Sequence, residues 1–440
     1  MQLAPRQQTG RLIGGHGADP TVTRLRPAGD APGHAARPKV RSGVAAGDVG
    51  AFAYRHSILA GQYERYPVIK ELPVIDLFAG AGGLGIGAQR AGADLRLSVD
   101  NDSYSCETMA QNPKLHAGRS MVGDVTALTG RQLRADAGLR TGEDVVVIGG
   151  APCQPFSKAA YWVDKGEEAA YRRARARGES ADRPKETPAA RPDSRRTLVH
   201  EFLRLVLEAD ASAFVFENVP SILHPRNKHI FEALRADAEA AGYFTRTVVS
   251  TATNYGAPQS RQRVFLLGSL EQTPAEPTIT HAEVPSTGLL KWRTAGDALA
   301  EVDPVLVSRD AVAVEGRWAQ HLREIPPGMN YKFHSAWAGH PNPTFEAETR
   351  YWNFLLKLSP DRPSWTIPAS PGPWTGPFHW DSRRLSVAEL AALQSFPAGY
   401  RFAGPRREQV RQIGNAVPSV MAEAMVASVI ASVSRSEAAA

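Results

Sequence analysis

Cys153 lies between two prolines in the run Gly149-Gly150-Ala151-Pro152-Cys153-Gln154-Pro155-Phe156-Ser157. The apolar, mostly β-branched residues Val145-Val146-Val147-Ile148 before it predict a strand buried on both faces. Paired glycines and two prolines end that strand abruptly. The thiol is thereby held at the carboxyl edge of a central parallel strand, where open α/β sheets bind ligands. A buried structural thiol is the commoner fate of a free cysteine, but a rigid turn past a strand end suits attack better than packing. Glu217 follows a second buried run, Ala213-Phe214-Val215-Phe216, and falls level with Cys153 if the two strands are neighbours. A carboxyl sheltered there has a raised pKa and can serve as an acid; capping the next turn is the other reading. Arg261 and Arg263 alternate on a stretch leading into Val264-Phe265-Leu266-Leu267 and so share one face, either at the reacting edge or as a surface basic pair.

These side chains need a sheet to align them. Order begins at the buried strand Pro73-Val74-Ile75-Asp76-Leu77-Phe78, followed by the glycine turn Ala79-Gly80-Ala81-Gly82-Gly83-Leu84 and a helix ending near Gly92. Strand, glycine turn and helix form the first unit of a nucleotide-binding fold, with glycines that let a ligand approach the backbone. The next strand, Leu95 to Val99, ends in Asp100-Asn101-Asp102. An acid about 20 residues after the glycine turn is placed to hold a ribose diol, so Asp100 takes that role and Asp102 caps the helix Ser103 to Gln111. Cys106, inside that helix, reads as a core thiol. A short strand near Met121 leads to Asp124, which can accept from an adenine amino group or cap the following turn. Further helices are predicted from about 197 to 208 and 228 to 241, with a strand from Thr245 to Thr251. Ser386 and Glu389 form a capping box, and an Ala/Val/Met helix up to Val433 is apolar enough to pack back on the first domain.

A chain of 440 residues allows two or three domains. Four segments are expected: an Arg/Gly/Pro-rich, poorly ordered extension over 1–70, an α/β domain over 71–280 with a basic loop insertion at 158–196, a smaller irregular domain over 281–380, and a returning segment over 381–435. The irregular region carries most of the tryptophans, which suit either nucleic-acid contact or a small core. No run approaches the roughly 18 apolar residues needed to span a bilayer, and there is no signal-peptide pattern. Two distant cysteines without metal-ligand spacing argue against disulfides or a zinc site and fit a reducing cytoplasm. A net charge of +6, carried mainly by arginine, points to a polyanionic partner, although high genomic GC content gives the same bias.

Taken together, six motifs resemble the DNA (cytosine-5) methyltransferases of bacterial restriction-modification systems. They are Asp-Leu-Phe-Ala-Gly-Ala-Gly-Gly at 76–83, Pro-Cys-Gln-Pro-Phe-Ser at 152–157, Glu-Asn-Val at 217–219, Gln-Ser-Arg-Gln-Arg at 259–263, Arg-Arg-Leu-Ser-Val-Ala-Glu-Leu at 383–390 and Gly-Asn-Ala-Val-Pro at 414–418. The resemblance implies a class I methyltransferase fold, a mostly parallel sheet with helices on both faces, plus a small target-recognition domain. It implies S-adenosylmethionine held by Asp76, Phe78, Ala79, Gly80, Gly82, Gly83, Leu84, Asp100, Asp124, Val125 and Asn415. The chain departs from the pattern at Asn101, where many relatives carry a large aromatic that stacks on the adenine. The loop after the cysteine is also longer than usual, with Asp193-Ser194-Arg195 closing it.

The implied reaction is methylation of carbon 5 of a cytosine flipped out of duplex DNA. Cys153 adds to carbon 6, Glu217 hydrogen-bonds N3, Arg263 holds the position-2 carbonyl, and Arg261 supports the site or a phosphate. Arg261, Arg263 and the sulfonium of the cofactor are expected to stabilise the thiolate. A separate cognate endonuclease and a monomeric state are implied too. An RNA (tRNA) cytosine methyltransferase and a silent DNA-binding regulator are the alternatives; the large irregular domain favours DNA over RNA, and the intact Cys153, Glu217 and Arg263 argue against the regulator.

Overall fold

The computed structural model describes residues 71–156 and 193–433, with a few isolated positions between 170 and 182. The extension over 1–70 and most of the basic loop lie outside the described residues, as do the expectations made for them.

Seven strands form one sheet: β1 (Pro73–Leu77), β2 (Asp94–Asp100), β3 (Arg119–Val122), β4 (Val146–Gly149), β5 (Ala213–Asn218), β6 (Phe244–Thr251) and β7 (Gln262–Ser269). Their spatial order is β3-β2-β1-β4-β5-β7-β6. The pairs from β3 to β5 are parallel, and β7 runs antiparallel to both β5 and β6. This is the doubly wound α/β sheet that the alternating apolar runs predict. One face packs on α4 (Leu198–Glu208) and α5 (Lys228–Ala240) through residues such as Phe202, Phe214, Phe216 and Leu234. The other packs on α1 (Gly83–Arg90) and on α8 (Ser419–Val433), which returns from the far end of the chain. The two helices nearly touch: a Cβ on Gly87 would stand 2.4 Å from Ala422 Cβ and 2.8 Å from the Ser419 carbonyl. Glycine at 83 and 87 therefore sets the depth at which the carboxyl-terminal segment docks. Arg406–Val433 has the length and hydropathy to cross a bilayer, so composition alone is less decisive than the sequence suggests, but 67% of its most apolar window is buried in the fold.

Local signals hold where the sequence places them. The Asp102 carboxylate accepts from the Ser105 N–H at the start of α2 (Ser103–Ala110), and Ser386 and Glu389 form a complete capping box on α6 (Val387–Leu393). Cys106 is buried, its thiol donating to the Met121 carbonyl at 3.3 Å. The region after β7 has its own aromatic core, with Tyr331, Phe345 and Phe378 buried and Trp318 and Trp374 packed against them. Trp380 packs with α6 and α7 (Arg406–Asn415) instead. Trp337, Trp352 and Trp365 remain 76%, 52% and 39% exposed. The small-core reading thus holds for Trp318 and Trp374, while these three stay on the surface.

Beneath the glycine turn, His116 is almost fully buried and its Nε2 lies 3.2 Å from Ser98 Oγ. A Cβ on Gly82 would stand 2.6 Å from its ring, so this imidazole supports the turn directly. Burial lowers its pKa to about 4, below the ordinary value of about 6.5. The unfolded chain therefore takes up the proton first, and stability contributed by neutral His116 is complete above the unfolded pKa and lost as pH falls through this window. Buried carboxylates with raised pKa titrate in the opposite sense, so a difference measurement isolates the ring. Between about pH 7 and pH 5 the native chain should lose about 2 kcal/mol more stability than His116→Asn. Urea unfolding at both pH values measures this, and equal pH slopes would refute it.

Candidate active site

Parallel register brings the strand ends level: Leu77 pairs with Gly149 and Gly149 with Phe216. Beyond that edge lies a cleft of about 300 Å³. Its lining includes Phe78, Ala79, Gly80, Gly83, Leu84, Asp100, Asn101, Asp124, Val125, Cys153, Glu217, Arg263 and Asn415. Among the described residues, the side chains the sequence singles out are therefore gathered in one place, with three departures.

At the reacting end, β7 explains why an arginine far along the chain reaches β5. Its antiparallel course pairs Glu217 with Phe265 and Asn218 with Val264, which sets Arg263 at the same edge. Arg263 Nε then lies 2.7 Å from Glu217 Oε1, with each side chain 9% exposed. A Cβ on Gly150 would come within 2.8 Å of Glu217 Oε2, so the second glycine after β4 makes room for the carboxyl. The Asn218 amide donates to the Ala151 carbonyl at 3.1 Å and ties the cysteine turn to β5. Burial raises the pKa of Glu217 against the opposing pull of Arg263 and Arg261. Burial also raises Cys153, while Arg263 and Arg261 lower it and Glu217 raises it further. Both arginines thus act on the thiol in the expected direction, against the larger effect of burial.

At the other end, the Asp100 carboxylate accepts from the Gly80 and Asp102 N–H groups, each at 2.8 Å. Each oxygen keeps acceptor capacity for a diol facing the cleft. Phe78 and Gly80 adopt positive φ of 56° and 54°, which folds the chain tightly after β1. Asp124 lines the cleft and also caps its own turn, accepting from the Thr126 N–H at 2.9 Å.

The departures concern Asp76, Gly82 and Arg261, none of which lines the cleft. Asp76 is fully buried with no hydrogen bond of good geometry at either oxygen. Strand alternation turns it away from Ile75 and Leu77 toward α1, where the Gly85 N–H partly offsets the burial that raises its pKa. Gly82 sits over His116 and the Tyr400 hydroxyl, with φ of 83°. Arg261 is buried and donates to the Gly414 carbonyl at 2.8 Å, so it braces the end of α7 and is not available to a phosphate. Among the cleft residues to which the sequence gives no role in the site are Arg195, which closes the loop after the cysteine, and Arg411 and Gln412 on α7.

A model of the "C-5 cytosine-specific DNA methylase" family matches residues 72–174 and 188–431. The chain is 33% identical to the type II methyltransferase M.SacI of Streptomyces achromogenes, over 81% of this chain and 92% of the relative. It is 29% identical to M.NgoFVII of Neisseria gonorrhoeae, over 78% of this chain and 83% of the relative. Among solved structures, Entamoeba histolytica methyltransferase EhMeth aligns over 83% of this chain and 98% of its own, with a TM-score of 0.50 at 12% identity, a likeness of fold.

The position of Arg261 predicts a stability effect. Arg261→Ala removes a charged donor from buried carbonyls and should lower the unfolding free energy by about 3 kcal/mol. Denaturant titration measures it; an unchanged midpoint would show that the guanidinium does not brace α7.

Proposed function

The chain belongs to the C-5 cytosine-specific DNA methylase family and is a DNA (cytosine-5-)-methyltransferase; from that premise we propose that it protects duplex DNA in a restriction-modification pair through a covalent Cys153–cytosine adduct. The observation that carries this reading is the convergence of Cys153, Glu217 and Arg263 in one cleft with the Asp100 carboxylate. A separate endonuclease of the same specificity would complete the pair, with this chain acting as a monomer.

Asp100, the glycine turn and the apolar walls Phe78, Leu84 and Val125 fit S-adenosylmethionine by their donor set, offering acceptors for a ribose diol beside a surface for a purine. That cofactor supplies the methyl group when bound. Phe78, Ala79, Gly80, Gly83, Leu84, Asp100, Asp124, Val125 and Asn415 would hold it. Asp76 and Gly82 act from beneath the turn.

Cytosine carbon 5 is a poor nucleophile until a thiolate adds at carbon 6. Glu217, whose pKa burial raises, donates a proton to N3 as the sulfur–carbon bond forms and takes up the charge that would otherwise collect on the ring. Arg263 holds Glu217 in place and faces the position-2 carbonyl. The Cys153 thiol gives its proton to water as the sulfur adds, with Arg263 and Arg261 opposing the burial that raises its pKa. After methyl transfer a base, water-mediated, removes the carbon 5 proton and the sulfur departs. The cytosine must leave the stack to reach this cleft, at a cost of a few kcal/mol offset by contacts from the region over 281–380. Exposed Trp337, with Lys332 Nζ 5.5 Å from its ring centroid, suits that contact surface.

A duplex carrying 5-fluorocytosine at the target tests the covalent step, since fluorine cannot leave as a proton does. The native chain should give a denaturation-resistant protein–DNA band. Cys153→Ser should give none, and Glu217→Gln should form it about 100-fold more slowly. A trapped band from Cys153→Ser would sink the assignment. For the recognition region, exchanging 281–380 for its counterpart in the Streptomyces achromogenes relative should move the methylated motif to the donor's. Bisulfite sequencing of DNA from a methylation-free host reads the outcome, and an unmoved motif would refute the role.

A further inference from the structure

Asn101 lines the β2–β3 end of the cleft and is exposed, yet its short side chain offers a purine no flat wall. Phe78 supplies one apolar surface there. The flat group on this side comes from the other end of the chain. Arg411, on α7, also lines the cleft, with its side chain 32% exposed. Its Nη2 donates to Asp102 Oδ2 at 2.7 Å and its Nε to Glu408 Oε2 at 2.6 Å. The contact with Asp102 puts the guanidinium beside Asn101, remote in the sheet order from Cys153 and Glu217. Two carboxylates gripping a planar group by its edge fix its plane and leave its faces for stacking.

We propose that Arg411 forms the second wall of the adenine slot, its guanidinium face stacking on the purine opposite Phe78 in the position that Asn101 leaves bare. Asp102 and Glu408 act as positioning residues that hold the plane. A guanidinium stacks on aromatic rings where an ammonium does not, so the role depends on shape as well as charge. The proposal rests on the cofactor reading above and adds to it the residue that closes the purine site.

The test is equilibrium binding of S-adenosylhomocysteine by isothermal titration calorimetry, which needs no turnover. Arg411→Lys keeps the charge and a partner for Asp102 but loses the plane, and should weaken binding about tenfold. Adding Asn101→Trp to that variant restores a flat wall and should bring affinity back to within about threefold of the native chain. Native-like binding by Arg411→Lys would overturn the proposal. So would a loss that Asn101→Trp leaves unrepaired, which assigns Arg411 to bracing Asp102. If the native chain itself fails to bind, the cofactor reading falls first, so the two failures are distinguishable.

Discussion

The reacting edge depends on one buried ion pair, Glu217 with Arg263. A carboxylate alone at that depth would be costly, and burial raises its pKa. Arg263 and Arg261 oppose that rise, so the carboxyl is balanced between burial and its cationic neighbours. The pair also explains the one reversal in the sheet. If β7 ran parallel, its amino end, where Arg263 stands, would lie at the opposite edge from Glu217; running antiparallel, it returns that end to the cleft. The room for the pair comes from Gly150, whose missing Cβ belongs to the turn that aims Cys153.

Arg261 carries the same constraint outward. Two residues before Arg263 on the chain, it grips the carbonyl of Gly414, 153 positions away, where α7 ends. A Cβ on Gly414 would stand 2.5 Å from Ala369 Cα, so the region over 281–380, the end of α7 and Arg261 meet at one point. Ser364 and Trp365 extend the junction by pairing with Gln259 and Ser260. The region over 281–380 is thus tied by backbone pairing to Gln259 and Ser260, the two residues that precede Arg261 on the way into β7.

Much of this was legible because it is local. Apolar runs stopped by Gly and Pro mark the strand ends, and a strand end in an open α/β sheet is where a site forms. Asp102, Ser386 and Glu389 announce helix starts within a few residues of themselves. The errors share one physical source. Asp76 sits inside a matching motif, and only the alternation of β1 reveals that it faces α1. Arg261 and Arg263 are two residues apart, so parity puts them on one face, but it cannot say that one guanidinium meets a carboxylate and the other a helix end. The raised pKa of the Cys153 thiol reflects a balance between burial and nearby charges, and no spacing of residue types encodes how deeply a turn is buried.

The cleft is assembled from both ends of the chain. The glycine turn follows β1, while Asn415, Ala416 and Val417 arrive on the segment joining α7 to α8. A Cβ on Gly83 would stand 2.3 Å from the Val417 carbonyl, so the floor of the cleft is itself a contact between those two ends. Closure then cannot precede docking of α8, and α8 docks through apolar residues such as Met421, Met425 and Val429 that have no exposed role. Hydrophobic burial is strong but poorly directional. Here its register is set by the glycines at 83 and 87, which admit the carboxyl-terminal backbone at one depth only. The glycine turn therefore has two duties: its early residues face the cleft, and its later ones fix the helix pair that completes it.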